Sequence, residues 1–204
     1  MPERAVTRVA LERGRTWTFA SALEWPGWCR RGRNEEAALA ALMDYADRYA
    51  LVAGEGFAPG ALSVVGEVPG TTTTDFGAPG VAGPWDDEHL TARERRRLVA
   101  LLEGAWTYFD VVVAGAPAEL RRGPRGGGRD RDAVGEHVRE AERACGAKLG
   151  RPVAPRTPWT AQRLLLVEAL RAGPSGAAWS TRFALRRMAW HVLDHAWEIE
   201  DRSH

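Results

Sequence analysis

His191 and His195 are the two residues whose types and spacing point most directly to chemistry. They lie four positions apart in the run from Arg186 to Glu198, which has the pattern of one long helix. Four residues rotate an α-helix by about 400°, so the two imidazoles lie roughly 40° apart on one face. Two neutral imidazole nitrogens at this spacing can bind one metal ion without distorting the backbone. Taken alone, the spacing fits a chance pair on a partly buried helix face equally well.

A third histidine strengthens the metal interpretation. His137 lies on the apolar stripe of an earlier predicted helix, so three of the five histidines occupy inward helical positions. A lone histidine in such a place is explained well by a hydrogen bond, but facing helices of a bundle place converging ligands in its interior. The sequence therefore predicts a divalent metal site formed by His137, His191 and His195. The loop residue His89 and the C-terminal His204 are left outside it.

A site of three neutral imidazoles is more typical of catalysis than of a closed structural role. It leaves a divalent ion its full charge and at least one open coordination position. Such a centre can lower the pKa of a bound water or thiol, or polarise a carbonyl. Zinc, nickel and iron all accept imidazole, so the ligand types leave the choice among them open.

Three charged residues of the same run are candidate catalytic or binding residues. Glu198 lies seven positions after His191, roughly on its face, and Asp194 is adjacent to His195. Either carboxylate can orient an imidazole or act as a base, and an ion pair with a neighbouring arginine explains each equally well. Arg187 lies one turn before His191, where it can bind an anionic group of a substrate.

The helices that must position these side chains lie in the second part of the chain. Thr91 and Glu94 fit a capping box at the start of the first helix. Apolar stripes and Gly/Pro breaks predict helices over about 91–114, 129–149, 160–172 and 180–201. Four helices joined in sequence are most simply packed as a four-helix bundle.

The first seventy residues predict a smaller unit of strands and one helix. Strand-like segments cover 6–11, 15–23, 28–31 and 61–68, and a helix covers 35–52, which gives a ββ(β)αβ order. Asn34 is placed to cap that helix, with Glu35 and Glu36 in its first turn. The predicted fold class is therefore α+β.

Residues 71–89 have neither helical nor strand periodicity and are predicted as a loop. A loop of this length serves either as a linker or as a lid, and its Asp75, Asp86 and Asp87 bring candidate carboxylates. We therefore predict an α+β domain over 1–70 and a helical domain over 90–204, joined by this loop.

Composition narrows the function classes. The 204 residues carry a net charge of +1, which favours neither nucleic acid nor an anionic membrane as a partner. Cys29 and Cys145 lie far apart, and the sequence shows no signal peptide and no apolar run of membrane-spanning length. The basic, glycine-rich run from Arg121 to Arg131 fits a solvated loop. We expect a cytoplasmic protein that acts on a small-molecule substrate.

The predicted helices, over roughly 89–202, resemble the DinB-like superfamily. The matching features are a histidine early in the second helix, within Val134–Glu142, and the H-x-x-x-H of His191 and His195 in the fourth. The family pattern is a metal bound by those three positions, with water on the remaining sites. Members include thiol-dependent transferases and isomerases, and a thiol-dependent maleylpyruvate isomerase is similar in layout. The resemblance implies an enzyme that transfers, isomerises or hydrolyses a small molecule, with a low-molecular-weight thiol as a candidate cofactor.

The first seventy residues resemble the HicB-like fold. The run Leu23–Cys29, followed by Gly32 and the Glu/Ala-rich segment Glu35–Leu39, is similar to that family's strand, Pro-Gly turn and helix. Trp28 after the turn and the attached helices depart from the pattern. We interpret this unit as a structural module, as a dimerising module of a homodimer, or as one wall of the pocket. Two alternative functions stay open, a non-catalytic metal- or ligand-binding regulator and an antitoxin-like protein.

Overall fold

An N-terminal group of strands precedes a series of helices in the computed structural model, which describes residues 6–123, 128–173 and 176–203. The strands are β1 (Val6–Arg13), β2 (Thr18–Ala22), β3 (Cys29–Gly32) and β4 (Ala61–Pro69). The helices are α1 (Glu35–Asp44), α2 (Ala46–Ala53), α3 (Thr72–Phe76), α4 (Ala92–Gly115), α5 (Arg131–Lys148), α6 (Trp159–Ala172) and α7 (Thr181–Arg202). The predicted α+β class is confirmed. His204 and part of the basic run, residues 124–127, lie outside the described residues.

The described strands form one mixed sheet in the order β3-β2-β1-β4. β1 pairs antiparallel with β2 and parallel with β4, and β2 pairs antiparallel with β3. Val9 and Leu11 of β1 belong to the main apolar core, whereas Ala10 packs in a small cluster with Trp85. Because successive side chains of a strand point to opposite faces, both faces of the sheet are covered at β1.

One buried apolar cluster joins the sheet to the helices. It contains Val9 and Leu11 of β1, Trp28, and side chains from α4, α5, α6 and α7. The fully buried Trp28 donates its indole N–H to the carbonyl of Leu42 at 2.7 Å. Helices α4 and α5 both pack against α7, which lies at the centre of this core.

The helix predicted over 35–52 is interrupted. Tyr45 leaves the helical conformation, with φ −95° and ψ 5°, and separates α1 from α2. The guanidinium carbon of Arg30 lies 3.8 Å from the centroid of the Tyr45 ring, which also packs edge-on against Trp197. Contacts with distant segments therefore override the local helical preference, and such contacts cannot be predicted from the apolar periodicity of this segment.

Residues 71–89 contain regular structure where composition predicts a loop. Thr72–Phe76 form the short helix α3, and Pro84–Asp86 form a 3₁₀ turn. Thr71 and Thr74 cap α3 reciprocally, and Gly77 ends it with φ 112°. The run of four threonines therefore supplies capping groups, which a search for periodicity overlooks.

Carboxylates hold this connecting segment against the rest of the chain. Glu12 of β1 accepts hydrogen bonds from the backbone N–H groups of residues 80–81 at 2.9 Å each. Asp86 binds Arg186 of α7 through two hydrogen bonds of 2.6 and 2.8 Å. Asp75 accepts a hydrogen bond of 2.7 Å from the turn between β1 and β2. Asp75 and Asp86 are therefore engaged in these structural contacts.

One helix requires a correction to the sequence interpretation. Within the described residues, α4 is long and apolar enough, by length and composition, to cross a membrane. It nevertheless buries seven residues in the core and packs against α7. The described part of the chain therefore looks like a soluble protein in which α4 is a core helix.

Candidate metal centre

Helix α7 places two histidines on one face. Its N-terminus begins after Ser180, whose hydroxyl accepts a hydrogen bond of 3.3 Å from the backbone N–H of Phe183. Leu185, Met188, Val192 and Leu193 anchor the helix in the main core. His191 and His195 lie beside this buried surface, and their ring centroids are 4.7 Å apart.

Helix α5 brings the third histidine to the same place. Val134 and Val138 are buried in the main core and fix the face of α5 that packs on α7. His137 is half-buried, and its ring centroid lies 5.1 Å from that of His191 and 4.9 Å from that of His195. The three rings each offer one nitrogen, and these nitrogens all lie within 4.8 Å of one another.

The distance between two donor nitrogens fits a shared metal ion. The Nε2 atoms of His137 and His191 are 3.2 Å apart. A tetrahedral ion with metal–nitrogen bonds of about 2.05 Å needs ligand nitrogens about 3.3 Å apart. This pair meets that requirement, and the donor nitrogen of His195 lies within 4.8 Å of both.

Glu198 holds one of the three rings in place. Its Oε2 atom lies 2.8 Å from Nδ1 of His195, and its Oε1 atom accepts a hydrogen bond of 2.8 Å from Arg202. With Nδ1 occupied by the carboxylate, Nε2 is the nitrogen of His195 that can act as a metal ligand. A carboxylate behind a ligating histidine is a frequent arrangement in metal sites, because it fixes both the tautomer and the ring orientation.

Burial and neighbouring charges keep two rings in the form that binds metal. Burial lowers the pKa of His137 below its ordinary value, and the positive ends of neighbouring side chains act in the same direction. Burial lowers the pKa of His191 well below its ordinary value. The pKa of Glu198 is also lowered, chiefly by its hydrogen bond with His195. At neutral pH His137 and His191 are therefore neutral imidazoles, and Glu198 is an ionised carboxylate.

A cavity of about 370 Å³ adjoins the histidines. Both His137 and His191 line it, and the apolar part of its wall is formed by Ala141, Ala144, Trp179 and Met188. Arg187 and Lys148 add positive charge to the wall, and Cys145 adds a thiol. The cavity is in the size range of small-molecule sites, and it combines apolar surface with polar and charged groups.

The three predicted charged candidates lie in different places. Glu198 contacts His195, and Arg187 lines the cavity one turn before His191. Asp194 instead accepts a hydrogen bond of 3.0 Å from Arg30 of β3. We therefore keep Glu198 and Arg187 as residues of the centre and give Asp194 a role in joining α7 to the sheet.

The inward face of α5 differs from the apolar stripe that its sequence predicts, which includes Ala144 and omits Glu142. Ala144 is exposed, whereas Glu142 is buried, where it accepts hydrogen bonds from Trp159 at 2.6 Å and from Arg163 at 3.2 Å. Cys145 lines the cavity, and no chemistry was assigned to it from the sequence. A signal was present, because residues 137, 141 and 145 follow the spacing of one helix face.

Comparisons of the chain with protein-family models, with curated proteins and with solved structures gave no significant match. The resemblances to the DinB-like and HicB-like families therefore stay proposals. What supports a function is the geometry of the histidine centre and of the cavity beside it.

Proposed function

We propose that this protein is a metal-dependent enzyme that transfers, isomerises or hydrolyses a small molecule, in the manner of the DinB-like superfamily that it resembles. The observation that carries the proposal is the convergence of His137, His191 and His195 beside an open cavity. Three imidazole ligands leave a coordination position for a substrate, and the cavity gives a substrate access to it.

A divalent ion held by these residues, whether zinc, nickel or iron, would supply Lewis acidity toward a carbonyl, a thiol or water. The protein's own side chains prepare the site for it. Glu198 fixes the ring of His195, and burial keeps His137 and His191 neutral. A low-molecular-weight thiol is a candidate co-substrate, as the DinB-like resemblance implies. The two free cysteines, Cys29 and Cys145, fit a reducing cytoplasm.

Elemental analysis of the purified protein tests the metal centre. We expect about one divalent ion per chain in the wild type, and loss of that ion in His137→Ala and His195→Ala, because each change removes one of three ligands. His89→Ala is the matched control, since His89 is an exposed histidine outside the cluster. The same test is applied to His191→Ala, and stoichiometric metal that survives all three single histidine changes in the cluster would refute the proposed site.

A second measurement separates an enzyme centre from a closed binding site. Cobalt(II) is loaded into the metal-free protein, and 2-mercaptoethanol or azide is added while the visible spectrum is recorded. A spectral change is expected because three protein ligands leave a position for an added ligand. An unchanged spectrum would favour the non-catalytic metal-binding alternative.

A further inference from the structure

Arg187 is a partly buried cation that forms no ion pair among the described residues, and its guanidinium carbon lies 4.6 Å from the centroid of the Trp190 ring. Its Nη1 atom is shielded from solvent and has no hydrogen-bond partner within the part of the chain that the structure describes. Two other arginines of α7 are paired, Arg186 with Asp86 at 2.6 Å and Arg202 with Glu198 at 2.8 Å. A buried charge that lacks a counter-ion is costly, and proteins tolerate it mainly where a ligand supplies the opposite charge.

Nη1 itself is shielded, so the spaces that Arg187 lines show where a ligand can reach the rest of its side chain. Arg187 lines one cavity of about 10 Å³, next to Trp28 and Cys29, and a second of about 370 Å³ that it shares with His137 and His191. The small cavity has room for a single water at most. Of these two spaces, only the larger can hold an organic anion.

The charge and polarity of the larger cavity favour an apolar molecule with one negative group. Lys148 places a second cation on the wall. Glu142 is the carboxylate on the same wall, and Arg163 neutralises it at 3.2 Å. Trp179 and Met188 offer apolar surface for the rest of the ligand. Arginine suits a carboxylate because its planar fork matches the two oxygens.

We propose that the substrate carries a carboxylate that Arg187 binds, and an apolar body that lies between Arg187 and the three histidines. Arg187 precedes His191 by four residues, which is about 6 Å along the helix axis. The carboxylate is therefore held a short distance from the substrate atom that meets the metal, and Arg187 sets which molecules enter in the correct orientation. The choice of a substrate rests on the proposed function, whereas carboxylate recognition by Arg187 requires no metal.

Phenylacetate and phenylacetamide are a matched pair of probes, because they have nearly the same shape and differ in charge. Their binding to metal-free protein is measured by calorimetry or by tryptophan fluorescence. We expect the wild type to bind phenylacetate at least tenfold more tightly than phenylacetamide, and Arg187→Met to lose this preference. Arg171→Met is the control, since it removes the same charge from a surface ion pair with Glu103 on another helix.

The outcomes decide the inference separately from the metal centre. Equal binding of the two probes by the wild type, no saturable binding of phenylacetate, or a preference that persists in Arg187→Met would each overturn it. Arg187→Met is expected to melt at or above the wild-type temperature, because it replaces a cation that lacks an ion-pair partner among the described residues with an apolar side chain of similar length, which can still pack on Trp190. Arg187→Gln, a neutral polar variant with the same expected loss of preference, supplies the test if the methionine variant does not fold. Because this binding assay uses metal-free protein, its result does not depend on whether the three histidines bind a metal.

Discussion

The contact between Glu198 and His195 permits a quantitative test of the metal centre. Both oxygens of the carboxylate are occupied, Oε2 by Nδ1 of His195 and Oε1 by Arg202, each at 2.8 Å. Arg202 is itself fixed, because it also donates to the backbone carbonyls of Arg121 at 2.7 Å and Arg129 at 2.8 Å. Glu198 therefore has little freedom to move. The ring of His195 is held in turn by its hydrogen bond with Glu198.

The substitution Glu198→Gln keeps the shape of this side chain and removes half of its accepting capacity. An amide has one accepting oxygen and one donating NH₂ group, while both neighbours of Glu198 donate. Because its backbone contacts hold Arg202 in place, we expect the amide oxygen to face Arg202 and the NH₂ group to face His195. The ring then loses its acceptor, and losses of this kind weaken metal binding by about 10- to 100-fold, or about 1.4–2.8 kcal/mol.

Zinc titration against a competing chromophoric chelator at pH 7.5 measures this effect. Glu200→Gln is the matched control, because Glu200 lies on the same helix and binds Tyr108 at 2.6 Å and Arg48 at 2.5 Å, apart from the three histidines. We expect its zinc affinity to remain within about threefold of wild type. Wild-type affinity in Glu198→Gln, or an equal loss in both variants, would refute the assigned role of Glu198.

Two further predictions concern packing and the cavity thiol. Gly27→Ala is expected to lower the free energy of unfolding by about 2–4 kcal/mol in chemical denaturation, because Gly27 has φ +95° and an added Cβ would lie 2.6 Å from Cδ1 of Leu193. Gly54→Ala is the control, because Gly54 has φ +71° and no neighbouring atom lies within 4 Å of an added Cβ. This variant should lose only the part of the free energy of unfolding that comes from the strained backbone. An equal loss in the two variants would contradict the packing argument. Alkylation of Cys145 by iodoacetamide in metal-free protein is expected to be slow at pH 8 and to accelerate toward pH 11. Burial raises the pKa of this thiol to about 11, so only about one thiol in a thousand is ionised at pH 8. Peptide mass spectrometry measures the labelling, and rapid modification at pH 8 would show that the thiol is not shielded.

Local patterns predicted the parts of the centre that a single helix determines. The helix that became α7 was indicated by its apolar stripe, and the relation between His191 and His195 follows from helix geometry alone. The capping box of Thr91 and Glu94 marked the start of α4, and the structure contains it. These features depend on residues at most a few positions apart, which is why one sequence suffices for them.

Features that depend on distant segments were not accessible in the same way. The buried face of α5 includes Glu142 because Trp159 and Arg163 of α6 reach its carboxylate, and polarity alone argues against burying a glutamate. Asp194 was a candidate for the centre, and only the fold shows that Arg30 of β3 binds it. The cavity, too, is formed by side chains of α5 and α7 together with Trp179. How these two helices pack against each other depends on the whole fold, so no local pattern predicts the cavity.

The position of α7 connects the sheet with the proposed chemistry. On one side, Asp194 binds Arg30 of β3 and Trp190 packs edge-on against Phe19 of β2. On another side, the same helix carries two of the three histidines and Arg187. Arg187 also lines the small cavity next to Trp28, so the N-terminal unit approaches the residue that we assign to carboxylate binding. The three proposed metal ligands lie on α5 and α7, so we expect the sheet to act on the centre by holding α7 in position and by closing the space behind Arg187.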